Sequence, residues 1–400
     1  MDDQKNLILA VVIATAILLL YYAFVLGPAE ERQREALEAQ QTEQAATEQV
    51  GDDAPPTAAS ADAAPAGTST FVSRAEALAQ SERIRIETPE LAGSIALTGA
   101  RIDDLSLIQY TREVDPDSGV VTMFSPAGAE GAYYARLGWQ TPDGGEAGLP
   151  GSNSEWRVLS GDVLTPDTPV TLGYASPDGI EFERTIEIDE HYMFTVTDRV
   201  TNRSGADREL TPYGFIWRNG TPESQRSTWL VHEGVIGVLD NRRRARSYKN
   251  TQKDGEIEYD NTSGWVGIVD KYWLAALAPA PNAVFNAQFR AIPRGDDSAF
   301  QSSWQIPSVQ IADGETIQVS SNLFAGAKQA ELLREYDETL GITRLDDAID
   351  WGWFWFLTKP FFLLLEFFAG LVGNFGVAIL MLTVVVKAAT FPLANASYKS

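Results

Sequence analysis

Residues 182–200 read "FERTIEIDEHYMFTVTDRV", and the alternation along this stretch decides the fold. Phe182, Ile186 and Ile188 share one parity, which Tyr192, Phe194, Val196 and Val200 continue. Side chains alternate between the two faces of a strand, so this pattern marks half-buried antiparallel strands. It recurs in "IRIETPE", "SIALTG", "DDLSLIQY" and "TIQVSSNLF", punctuated by "SPDG", "TPDGG", "DPDSG" and "ADGE". Pro, Asp and Gly in such clusters specify turns. The pattern predicts one large two-sheet β domain from residue 83 to about 325. A helix in "KQAELLREYDETLG" follows, with Leu332, Leu333, Tyr336 and Leu340 on one side, and closes the unit near 345.

On the N-terminal side, Leu7 to Leu26 is a run of 20 residues without a charge, long enough to cross a hydrocarbon core of about 30 Å. Tyr21 and Tyr22 lie near its exit, where rings favour the headgroup layer. A cleaved signal peptide is the rival reading. The length of the run, and Pro28 without a small-x-small cleavage site, favour an uncleaved anchor over 7–26. Residues 27–82 are dominated by Ala, Glu, Gln, Thr and Pro. They offer too little apolar surface to offset ordering entropy, and a disordered tether is expected.

The chain of 400 residues is 44% hydrophobic with a formal net charge of -24. That balance argues against nucleic acid as a partner, because phosphates would be repelled. There are no cysteines, hence no disulfide framework, thiol nucleophile or thiolate metal site. The two histidines, His191 and His232, match no zinc motif, and no metal or other cofactor is expected.

Beyond the β domain comes "WGWFWFLTKPFFLLLEFFAGLVGNFG", residues 351–376. Lys359-Pro360 and Glu366 interrupt its apolar character, which favours an amphipathic segment lying in the membrane interface, residues 346–372. Lys359 and Glu366 are seven apart and fall on nearly the same helical face, and Trp351, Trp353 and Trp355 supply an aromatic belt. Gly370, Gly373, Asn374 and Gly376 mark a bend, and a second span over 373–394 follows. The expected topology has residues 1–6 inside, the β domain outside and 395–400 inside again. Charge bias around the first span does not decide the orientation. A large acidic domain free of cysteine suits the outer side.

Within the second span stands one charge, Lys387. At 100° per residue, Gly376, Leu380, Thr383, Lys387 and Thr390 form one stripe, so two hydroxyls flank the ammonium. A lysine that snorkels to the headgroups is the plainer alternative. Some six residues, about 9 Å of helix, separate Lys387 from the inner end, which favours a stripe turned toward a wet cavity. Elsewhere, His191 sits on the outer parity of its strand. His191, His232 and Glu233 could serve sugar ring opening as acid and base, but no spacing supports this. "NRRRAR" at 241–246 reads as a solvated loop or as a contact for anionic lipid or a partner. The "RGD" at 294–296 and the asparagines of "NRS", "NGT" and "NTS" are patterns that chance produces easily.

The last fifty residues, with "GWFWF…KP", "VGNFG", a basic residue five before Pro392 and "FPL…Y", resemble the second span of the YidC family of membrane protein insertases. "TSGWVGIVDKYWLAALAP" and "LFAGAK" are similar to that family's large periplasmic domain, and "MDDQKNLILAVVIA" to its N-terminal anchor. The resemblance implies an all-β supersandwich in the periplasm of a multi-pass inner-membrane protein, with no enzymatic activity. It implies a hydrophilic groove in which Lys387, Thr383 and Thr390 meet the polar part of an inserting substrate. Nascent membrane proteins and the lipid bilayer would be partners, as would Sec translocon components and the ribosome. The family's basic residue is commonly arginine, whose planar fork lysine does not reproduce. The family also continues into further spans, so a longer protein is expected. A membrane-anchored sugar-binding or mutarotase-like domain is the alternative function, and a structural tether between envelope partners a third.

Overall fold

The alternating stretch folds as a hairpin. Strands Ile180–Ile188 and Met193–Asn202 run antiparallel, with Val196 opposite Ile186 and Val200 opposite Phe182. Phe182, Ile186, Ile188, Phe194, Val196 and Val200 are all buried, as the parity requires. These strands belong to a computed structural model that describes residues 71–146, 148–222, 231–294, 297–352 and 354–399. Of residue 355 and of 392–399 it describes the backbone alone. The expected anchor at 7–26 and most of the expected tether lie outside the described residues.

Two sheets, of 11 and nine strands, form a sandwich-like domain. Trp139, from the larger sheet, lies 6.2 Å from Phe182 of the smaller one, ring centroid to ring centroid. The indole N–H of Trp139 also crosses between the sheets to donate to Asp198 at 2.8 Å. Arg184 occupies the buried parity of the hairpin, where an apolar residue would be expected. Its guanidinium donates twice to Asp198, both at 2.7 Å, so the buried charge is paired and hydrogen-bonded. The last strand, Thr316–Ala327, is the middle member of the nine-stranded sheet, between Met193–Asn202 and Trp273–Pro279.

The ordered domain begins earlier than the tether expectation allows. A short helix, α1 (Arg74–Leu78), opens with a capping box between Ser73 and Glu76. Ala77 is buried, and Arg74 forms an ion pair with Asp104. Composition hid this start because a cap, an ion pair, a buried alanine and a backbone bridge from Val72 to Ala129 hold it, with no apolar run. Two further helices belong to the β domain. They are α2 (Tyr248–Asp254), beside the edge strand Arg242–Ser247, and α3 (Ala330–Leu340). In α3, Leu332, Leu333 and Tyr336 are buried, and Gly341 ends the helix in a left-handed conformation, φ 66°.

The segment expected as one helix over 346–372 divides. Leu345–Ala348 is a 3-10 turn tied to the β domain, a left-handed Gly352 interrupts the following stretch, and α4 spans Trp355–Val372. The turn is held because Leu345 and Ala348 are buried and Asp346 pairs with Lys359 of α4. The expected bend is present. Gly373 caps α4 with φ 66°, and Asn374 accepts the backbone N–H of Val377 at 3.2 Å to start α5 (Phe375–Lys399).

Candidate functional site at the C-terminal helices

Alpha-helix α4 separates its residues by chemistry. Phe356, Phe361, Phe367 and Leu371 are exposed. Its two charged residues point the other way, into the β domain. Lys359 reaches Asp346 at 2.5 Å, and Glu366 accepts from Arg334 of α3 at 2.9 Å. Trp351 stands edge-on to Phe362, centroids 5.2 Å apart, with the Lys359 ammonium 5.8 Å from the Trp351 centroid. Lys359 and Glu366, read from sequence as polar interruptions of a membrane segment, thus anchor that segment to the domain. Trp353 lies outside the described residues, as does the side chain of Trp355.

On α5, the Thr383 hydroxyl donates to the Ile379 carbonyl at 2.8 Å and that of Thr390 to the Val386 carbonyl at 2.9 Å. Each hydroxyl proton is therefore used within the helix, leaving oxygen lone pairs as the outward-facing function. Lys387 is exposed and has no hydrogen-bond or ion-pair partner among the described residues. The stripe offers one cation flanked by two acceptors. Among the described residues no helix is long and apolar enough to cross a membrane. The backbone of α5 extends over 25 residues, of which the last eight lie outside the side-chain description.

The two histidines have separate surroundings. His191 contacts Glu90 Oε1 at 2.8 Å through Nδ1. Partial burial lowers its basicity, but the hydrogen bond and charge of Glu90 outweigh this and leave the pKa raised. His232 is pushed down to about 4, first by burial and then by the nearby Arg243. Its backbone N–H donates to Asp350, and Glu233 accepts the backbone N–H of Lys271. His191 thus faces Glu90, the His232 backbone faces Asp350 and Glu233 holds the backbone of Lys271.

One feature escaped the sequence. A groove of about 750 Å³ is bordered by Tyr110, Arg112, Lys271, Tyr272, Trp273 and Lys328. Tyr110 and Trp273 meet edge-on at 5.2 Å, and the Lys271 ammonium lies 4.9 Å from the Tyr272 ring centroid. Burial brings Lys328 down to about 8, against the opposing charges of Asp270 and Asp350. The lining suits noncovalent binding. The signal was present in "DKYW" at 270–273, but the strands that bring Tyr110 beside it are distant in sequence.

The pattern of the YidC periplasmic domain matches residues 83–364, which takes in the sandwich, the junction and part of α4. The chain belongs to the YidC family. The membrane protein insertase YidC of Maricaulis maris is 42% identical over 399 residues, covering 100% of this chain and 66% of that protein. YidC of Nitrobacter hamburgensis is 43% identical over 341 residues, covering 83% of this chain and 56% of that protein. The chain thus spans just under two thirds, or less, of the length of these YidC relatives. A galactose mutarotase-like protein from Lactobacillus casei aligns with 61% of the chain at 10% identity and a TM-score of 0.42, which says nothing of activity.

Proposed function

We propose that the chain acts as a membrane protein insertase of the bacterial inner membrane, with its β domain in the periplasm. The observation that carries this is the 42% identity to a YidC insertase over the whole chain, α5 included. In this reading residues 7–26 and 373–394 span the bilayer, residues 27–70 form the tether and α4 lies in the outer interface. Residues 1–6 and 395–400 face the cytoplasm. Nascent membrane proteins are the substrates, delivered by the ribosome or shared with the Sec translocon.

The chemistry is noncovalent. A polar terminus crossing hydrocarbon loses its hydration at a cost of several kcal/mol. Lys387, with the hydroxyl oxygens of Thr383 and Thr390 on its stripe, replaces part of that hydration with a fixed positive charge and acceptors. The apolar part of the substrate then partitions into lipid, which supplies the driving force.

The test is insertion per folded molecule over substrates graded by the polarity of their translocated terminus. Lys387→Arg should retain activity, since charge matters more here than donor geometry. Lys387→Ala should lose about ten-fold, equivalent to ~1.4 kcal/mol, on charged termini and little on apolar ones. Thr383→Val and Thr390→Val should lose less. A loss in Lys387→Ala that is uniform across the series and tracks protein abundance would leave Lys387 a snorkelling structural residue.

A further inference from the structure

The edge strand Arg242–Ser247 and the helix α2 after it gather positive charge that the insertase reading leaves unused. Residues 242–253 contain Arg242, Arg243, Arg244, Arg246, Lys249 and Lys253 and no acidic residue, in a chain whose formal net charge is -24. They form ordered structure, contrary to the solvated-loop reading. The strand pairs with Gly234–Leu239 on one side and is the terminal member of the nine-stranded sheet on the other. Arg242, Arg243, Arg246, Lys249 and Lys253 are exposed.

Three contacts fix the arrangement. Arg244 lies over the Tyr259 ring at 5.4 Å, and Arg246 pairs with Asp254 at 3.5 Å. Arg243 Nε donates to the Asp347 carbonyl at 2.9 Å, in the 3-10 turn that leads into α4. The basic edge therefore adjoins the segment that enters the membrane-proximal helix. A cavity of about 320 Å³ between them is bordered by Arg243, Arg344, Trp351 and Lys359, together with Asp346, Asp347 and Asp350.

We propose that this edge is a docking surface for anionic phospholipid headgroups, which sets the β domain against the outer face of the bilayer. Charge complementarity and continuity with α4 argue for lipid as the occupant. The inference rests on the interfacial placement of α4. Each cation close to an anionic surface contributes about five-fold to the docked population, so three together contribute on the order of 100-fold at low salt.

The absence of cysteine allows single labels in the full chain, reconstituted in nanodiscs. A fluorophore on Asn250→Cys of α2 reports proximity to headgroup-quencher lipid, and one on Leu363→Cys of α4 reports immersion. Quenching at position 250 should rise when phosphatidylglycerol replaces phosphatidylcholine and fall in 0.5 M salt, on the order of the ionic strengths at which screening is short-ranged. The dependence should vanish in Arg242→Gln/Arg246→Gln/Lys249→Gln and persist in Arg242→Lys/Arg246→Lys, which excludes a folding defect. Quenching at 363 with no lipid-charge response at 250 overturns the docking surface alone, and leaves the basic edge to an acidic protein. No quenching at 363 overturns the interfacial placement of α4 and the proposal with it.

Discussion

Glu366, in the middle of α4, accepts a hydrogen bond from Arg334 of α3 at 2.9 Å, so the last helix of the β domain is fastened to the helix that leaves it. Both side chains are about three-quarters covered, at 28% and 25% exposure, which places the pair between surface and buried ion pairs. Arg334→Glu should weaken the junction and speed proteolysis between 349 and 354. Arg334→Glu/Glu366→Arg should restore much of the loss, with a coupling of about 1 kcal/mol in the double-mutant cycle. No recovery in the exchanged pair would mean that the hydrophobic contacts hold the junction.

Acid should loosen the domain through His232. Its pKa is about 4 in the folded protein and near 6.5 when unfolded, because burial and Arg243 disfavour the charged ring. Between these values the unfolded chain binds more protons, so stability falls as pH drops through that window. Denaturant melts at pH 7 and pH 4.5 should differ by about 2–3 kcal/mol more in the parent than in His232→Gln. His191 acts in the opposite sense. Its raised pKa gives stability that is complete below the unfolded value and lost as pH rises through the folded one.

Gly326→Ala should be among the most damaging single substitutions. A Cβ there would fall 2.1 Å from the Tyr192 ring, which is fully buried and cannot swing away. Overpacking of this kind costs about 1–3 kcal/mol or more. Gly314→Ala is a useful contrast, since open space surrounds that site and only its φ of +80° is unfavourable. Thermal melts of the two variants should rank Gly326→Ala well below Gly314→Ala.

Single cysteines test the topology. Asp167→Cys, on an exposed turn of the sandwich, should react with a membrane-impermeant maleimide in intact cells whose outer membrane is open. Ser397→Cys should react only once the inner membrane is permeabilised. Labelling of both from outside would place an even number of crossings between them.

The sheets were legible because a half-buried strand writes its two faces into alternate residues, as from Phe182 to Val200. The helix α3 and the bend at Gly373-Asn374 were legible for the same local reason. Arg184 was not, since its partner Asp198 comes from the neighbouring strand and Trp139, the second donor to Asp198, from the other sheet. Nor were the partners of Lys359 and Glu366, which lie 13 and 32 residues away in sequence, at Asp346 and Arg334. Periodicity assigned those two charges correctly to one face of α4. It could not say that the face meets protein.

The central position of strand Thr316–Ala327 has a consequence for how the chain is made. Four strands of the nine-stranded sheet lie on each side of it, and all eight precede it in sequence. Until it arrives, the sheet exists as two halves with open inner edges, Met193–Asn202 and Trp273–Pro279, which only this strand joins. Pairing over such separations is slow, and unpaired edges are exposed to misassembly in the interval. During vectorial synthesis the residues that complete the sheet are followed, 28 positions later, by the first residue of α4. Closure of the sandwich and synthesis of α4 and α5 are thereby placed back to back in time.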